Sequence, residues 1–243
     1  MSLLLKKKIF KILENEDYPR FLNSLKSFPP EKTVSYLIAG FYHSKETIRW
    51  KAILGFGYLT ALITKNNAEH GRIIIRRLMW LLNEESGGMA WGVPEGFAEA
   101  IYHSELLKKE YLHLFVSYIW NPKDNRKHKA DNYLEFPPAQ RGVIWGVGRL
   151  AEKYKDELFK NNAHIYTAEH LFSLDKGVVF MSLWALLKLD ALFLVEKEKI
   201  KNVLTPLLKE NFSCVMFDGK KIRRVFTSEI ASELDEKLKF LQP

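Results

Sequence analysis

The sequence predicts an all-α fold, an α-α superhelix of stacked helix pairs with a small C-terminal β-hairpin, and three observations carry that prediction. The first is internal repetition. Ile144-Trp145-Gly146-Val147-Gly148-Arg149-Leu150 matches Ile53-Leu54-Gly55-Phe56-Gly57-Tyr58-Leu59, a further copy is Leu183-Trp184-Ala185-Leu186-Leu187-Lys188-Leu189, and Phe97-Ala98-Glu99 aligns with Leu150-Ala151-Glu152. Self-similarity at roughly 38 to 53 residues, each copy preceded by another helical pattern, is the signature of a helical solenoid, whose units bury their apolar faces only by stacking. The second is periodicity: Val34, Leu37, Ile38 and Phe41 form the stripe of an amphipathic helix. The third is a local exception near the C-terminus, where apolar residues flank Asp218-Gly219 as in a hairpin.

The elements follow in order. Leu3 to Leu13 and Tyr18 to Phe28 read as a capping pair over residues 1–30, because the first unit of an array presents one polar face. Pro29-Pro30 stops one helix and opens the next. Glu31 to His43 is the first helix of the first repeat, and Ser44 is expected to cap the second. Asn67 to Asn83 opens the second repeat, with Arg72, Arg76 and Arg77 outward. Its partner lies within Glu84 to His103, where Gly87, Gly88, Gly92, Gly96 and Pro94 all weaken a helix, glycine by about 1 kcal/mol each and interior proline by about 3. Either Pro94 sits in the first turn of a helix starting near Trp91, or the glycines let a neighbouring helix or a ligand approach the backbone. Glu105 to Trp120 opens the third repeat, and an insertion from Asn121 to Phe136 precedes its second helix at Pro137. Asn162 to Ser173 pairs with Lys176 to Leu189. Glu196 to Glu210 begins a fifth unit, which gives way to a hairpin with an expected type I′ turn at Asp218-Gly219. Val215, Phe217, Ile222 and Phe226 then share a face expected to pack on the last helix pair, and Ser228 to Leu241 closes the chain. The array is thus read as one domain, with a cap at 1–30, helix pairs at 31–210 and a hairpin-and-helix cap at 211–243.

Ile48-Arg49, Ala52 and Leu54-Gly55 resemble the consensus of HEAT-like repeat proteins, and the resemblance covers about Glu31 to Leu208. Gln140 stands where Arg49 has its equivalent, so the inter-repeat ladder usual in that family is incomplete here. The stretch EESGGMAWGVPE is also similar to one that recurs in an uncharacterised bacterial family of HEAT-like proteins, together with a later segment that Glu135, Pro138, Gln140, Gly142, Trp145, Gly146 and Arg149 fit. The resemblance implies that the second helices line a concave surface, and it supplies no activity.

Hydrophobic residues make up 47% of the chain and charged residues 27%, the proportions of a protein with a buried core. The apolar runs are too short to span a bilayer, which reads as no membrane segment. The leucines of MSLLLKKKIF precede the lysines, the reverse of a signal peptide, and with a single cysteine the expected location is the cytoplasm. Lys and Arg number 37 against 29 Asp and Glu, a formal charge of +8 that favours acidic partners such as nucleic acid. Neither paired histidines at metal-ligand spacing nor a phosphate loop nor a nucleophile elbow is present, so no metal or cofactor is expected.

Trp91, Glu95 and Glu99 recur every four residues and share one helix face, next in the array to Arg141, Trp145 and Arg149. Such a set reads either as an inter-repeat salt-bridge ladder or as a recess for a polar ligand, with Asn132, Glu135 and Gln140 in the segment that leads to it. The leading expectation is a scaffold that binds a protein or peptide in its concave groove, because nothing completes a catalytic set. The alternatives are a small-molecule-binding protein using the Trp91, Glu95 and Glu99 face, and a nucleic-acid enzyme resembling the HEAT-like alkylpurine DNA glycosylases. In those glycosylases an Asp stands beside groove tryptophans, whereas none of the six tryptophans here is followed by Asp.

Overall fold

Helix pairs succeed one another along the chain. A computed structural model describes residues 2–83, 92–121 and 132–240. Helices α1 (Ser2–Asn15) and α2 (Arg20–Leu25) precede the pairs α3 (Pro30–Gly40) with α4 (Glu46–Asn66), α5 (Ala68–Leu82) with α6 (Val93–His103), α7 (Glu105–Ser117) with α8 (Pro137–Lys160), and α9 (Ala163–Glu169) with α10 (Lys176–Leu189). Then come α11 (Lys197–Lys209), β1 (Ser213–Phe217), β2 (Ile222–Phe226) and α12 (Thr227–Phe240). Among the described residues the fold is all-α apart from this two-stranded sheet. No helix among them is long and apolar enough to cross a membrane.

The second helices form a continuous row, with α4 on α6, α6 on α8 and α8 on α10, and each also packs on the first helix of its own pair. This is the two-layer stack of a solenoid. The last of the row is sealed on nearly all sides, and its composition shows it: α10, KGVVFMSLWALLKL, buries all but two of its residues, Lys176 and Lys188, as an all-round apolar helix must. Close spacing within the row depends on glycine. A Cβ on Gly57 of α4 would lie 2.6 Å from the carbonyl carbon of Glu99 in α6, and one on Gly148 of α8 would lie 3.1 Å from the Cα of Ala185 in α10. The second glycine of each repeated Gly-x-Gly, Gly57 and Gly148, is therefore a contact between consecutive second helices.

Local signals set several helix starts. Asn67 accepts from the N–H groups of Glu69 and His70 at the start of α5, Ser104 from Leu107 in α7, and Asp175 from Val178 in α10. Ser44 does not cap α4: its N-cap is Lys45, and no side chain bonds there. Pro94 does occupy the first turn of α6, preceded by Gly92 with φ +77°, a left-handed conformation that favours glycine. The second reading holds for Gly92 and Gly96, which let Phe41 and the α4 side chains Ile53 and Phe56 come close to the α6 backbone. Gly87, Gly88, Trp91 and the basic half of the insertion lie outside the described residues.

The hairpin departs most from expectation. Its register pairs Val215 with Arg224 and Phe217 with Ile222, so the predicted face is formed. The turn, however, sits one residue later. Asp218 N–H donates to the Lys221 carbonyl at 3.1 Å, leaving Gly219 and Lys220 as the central pair, and of these two only Gly219 has positive φ. A type I′ turn needs two such residues, a II′ turn one. The Asp218 carboxylate accepts from the Lys220 and Lys221 N–H groups and holds the shifted turn.

The hairpin also does not stay on the last helix pair. While α12 packs on α10 and α11, β1 crosses the row of second helices. Trp50 of α4 donates its indole N–H to the Val215 carbonyl at 3.0 Å, and Trp145 of α8 donates to the Phe217 carbonyl at 2.9 Å. The Phe217 ring lies 4.9 Å from that of Tyr18, at the opposite end of the array. The ladder explains this. With Asp218 bonded to Lys221, Val215 and Phe217 occupy positions whose carbonyls point away from β2, and the two indoles satisfy those edge groups. Met216 and Val225, on the other face, are buried too.

Candidate functional site

Glu95 and Glu99 lie one turn apart on α6, and Arg141 and Arg149 two turns apart on α8. The two carboxylates have different surroundings. Glu99 is fully buried and its Oε1 accepts from Arg149 Nε at 2.6 Å. His103 Nε2 lies 3.2 Å from Glu99 Oε2, an ion-pair contact without hydrogen-bond geometry, so that this buried oxygen lacks a hydrogen bond among the described residues. Arg149 also bonds Glu152, and its guanidinium lies 3.5 Å from the ring centre of Tyr102 and 5.1 Å from that of Phe217. Burial by itself would raise the Glu99 carboxyl, but the Arg149 charge and the His103 contact outweigh it and hold the group below the usual carboxylate range. This is a closed inter-repeat ion pair under the hairpin.

Glu95 is in the first turn of α6 with its carboxyl against Gly142 of α8, where a Cβ would come within 2.6 Å of Oε2. That oxygen is buried and has no partner among the described residues. Burial pushes the Glu95 carboxyl up to about 7, and its own N–H, Arg49 and Arg141 only partly counter it. The buried Nε of Arg141 likewise makes no hydrogen bond, and its nearest carboxylate, Asp175, stands 3.7 Å away. Glu95 and Arg141 line one cleft of about 290 Å³, bounded by the start of α4 (Glu46, Arg49, Trp50), by Met181 of α10, and by Cys214 and Arg224 of the hairpin. Burial also raises the Cys214 thiol, to about 11, so it is protonated at neutral pH.

The other residues singled out by sequence do not meet there. Trp145 is fully buried, its ring 4.7 Å from Trp50. Gln140 is buried and donates to the Leu134 carbonyl at 2.9 Å and to the Tyr133 hydroxyl at 3.0 Å, tying down the segment before α8. Asn132 donates to the Ser117 hydroxyl, and Glu135 is exposed. Trp91 lies outside the described residues. Sequence reasoning missed Arg49, Cys214 and Arg224 as cleft residues. Arg49 carried a signal, the resemblance to the repeat consensus, whereas the hairpin residues carried none. Among the described residues no group of three or more His, Cys, Asp and Glu side chains is arranged to hold a metal ion.

No family model matches the chain. An uncharacterized protein of Archaeoglobus fulgidus is 29% identical over 133 residues, which span 55% of this chain and 60% of that protein. Among solved structures, two engineered proteins superpose with TM-scores of 0.48 and 0.45, each at 13% identity, the first over 95% of this chain and 97% of its own, the second over 96% and 95%. A designed armadillo repeat protein superposes with a TM-score of 0.38 at 13% identity, over 94% of this chain and 98% of its own. The architecture described above rests on the helix packing and not on these likenesses.

Proposed function

We propose that the protein is a helical-repeat binding protein whose recognition site is the cleft between the starts of α4, α6 and α8 and the first strand of the hairpin, and whose ligand is a small polar molecule. One observation carries this reading: Glu95 Oε2 and Arg141 Nε are both buried without a hydrogen-bond partner among the described residues, and both side chains line the same cleft. An unsatisfied buried polar group costs about 1–3 kcal/mol. A ligand that supplies both partners offsets that cost on binding.

A HEAT-like scaffold holding a protein or peptide in its concave groove is the competing reading. In this chain the hairpin lies on the second-helix row, with the outward-facing carbonyls of Val215 and Phe217 taken by Trp50 and Trp145. A peptide on that surface requires the hairpin to leave, which the small-ligand reading does not. Native mass spectrometry of the protein isolated from its host, compared with Arg141→Met, tests the choice. Retention of a small molecule by the natural sequence and its loss in the variant, at unchanged melting temperature, is the expected outcome. Co-purification of a protein partner unaffected by Arg141→Met overturns it.

A further inference from the structure

We infer that the ligand of this cleft carries an anionic head on a short apolar body, the head among Arg49, Arg141 and Arg224 beside the Glu95 carboxyl, the body against Trp50, Met181 and Phe212. The inference rests on the cleft being a ligand site, as proposed above.

Charge comes first. Among the described residues the cleft is lined by three arginines against the carboxylates Glu46 and Glu95. Glu46 is engaged by Arg49 at 3.2 Å, and Asp175, just outside, holds Arg141 only loosely at 3.7 Å. Arg224 donates to a neutral group, the Ser213 hydroxyl, at 3.1 Å. With Glu95 protonated, the three arginines exceed Glu46 and Asp175 by one charge, so below about pH 7 the described groups make the field in the cleft positive and disfavour a ligand cation. Arginine forks suit carboxylate and phosphate heads alike. The apolar wall fixes the rest of the ligand: Trp50 and Met181 are buried core residues at the cleft edge, and Phe212 packs 5.6 Å from Phe180.

Glu95 sets the proton balance. The described groups that face it are Glu46 and Arg49 from α4, Arg141 from α8, and Cys214 and Arg224 from the hairpin. With burial holding its carboxyl at about 7, the group is a donor below that pH and a second anion above it. A ligand anion accepts from the protonated form and is repelled by the ionised form. Binding therefore takes up a proton as pH rises past about 7, and affinity falls about tenfold per pH unit beyond the free-state value.

Calorimetric titration of the full chain with benzoate, phenyl phosphate, benzamide and benzylamine, at about pH 6 and about pH 8.5, tests this. The expected result is binding of the anions alone, with benzoate weaker at the higher pH by about tenfold or more. Benzoate above phenyl phosphate assigns a carboxylate head, and the reverse assigns a phosphate head. In Arg141→Met benzoate affinity drops about tenfold or more, and in Glu95→Gln, whose amide donates at every pH, the ratio between the two pH values approaches one. Circular dichroism melting checks that both variants fold. Benzylamine binding above benzoate, and lost in Glu95→Gln, overturns the anion assignment and leaves the cleft a ligand site. Benzoate binding unchanged by Arg141→Met also overturns the inference. If none of the four probes binds and native mass spectrometry finds no retained small molecule, the cleft reading itself falls.

Discussion

The two carboxylates of α6 are a controlled comparison: same residue type, one turn apart, each beside an arginine of α8. Glu99 ends in a sealed pair and Glu95 in an open cleft. Arg149 is held from every side, by Glu99 and Glu152 and by the rings of Tyr102 and Phe217. Arg141 is drawn towards Asp175 before α10, and it lines an open cleft to which the hairpin contributes Ser213, Cys214 and Arg224, with the rings of Trp50 and Phe212 on the apolar wall. The difference lies in what the hairpin lays over each arginine. A buried charge pair becomes structural where aromatic rings lie on its guanidinium, and a neighbouring pair stays available where it borders an open cleft.

The largest effect expected from breaking this comparison is in Arg149→Met. It leaves Glu99 buried without its counter-charge, and thermal or urea denaturation should register a loss of about 3–5 kcal/mol. Arg141→Met, whose carboxylate partner is distant and partly exposed, should change stability by less than about 1 kcal/mol. Equal losses in the two variants would mean that both arginines are structural.

The pH dependence sharpens the contrast next. Glu95 has a folded pKa raised above its unfolded value, so the stability it contributes is complete below about 4.5 and is lost as pH rises through about 7. Glu99 has a lowered pKa, so its contribution is present above the unfolded value and is lost as pH falls. Urea denaturation across this range should show that Glu95→Gln removes a decline on the order of 2–3 kcal/mol that the natural sequence suffers between about pH 4.5 and 7. A variant with the parent's pH profile would show that Glu95 is ionised throughout.

A smaller effect concerns the seal itself. Trp145→Phe removes the bond to the Phe217 carbonyl and leaves that carbonyl buried, which should cost about 1–3 kcal/mol. Because Phe217 also lies over Arg149, hydrogen exchange should rise in β1 and around Glu99 together. Trp50→Phe, at the Val215 carbonyl beside the cleft, should cost about 1 kcal/mol and loosen β1 without disturbing Glu99. Exchange confined to β1 in both variants would uncouple the hairpin from the buried pair.

By itself the sequence determined the helical array, and repeat four shows why. Lys176 to Leu189 was legible to the residue, because Asp175 caps it and an apolar run broken only by Ser182 and Lys188 fills it, and these are local signals. The same holds for the face shared by Val215, Phe217, Ile222 and Phe226, which follows from strand alternation. Helical spacing also brought Glu95 and Glu99 to one face, but it did not say that one would be paired and the other left open. That depended on Asp175 competing for Arg141 and on a hairpin that reaches back across the array to Trp50. An apolar strand face states that it must be buried and not against what, and the indole that receives it stands 165 positions away in the chain. Local energetics acts over one or two turns, whereas the partner of a buried charge is chosen by how helices and strands distant in sequence settle against one another. Only the tertiary structure could decide it.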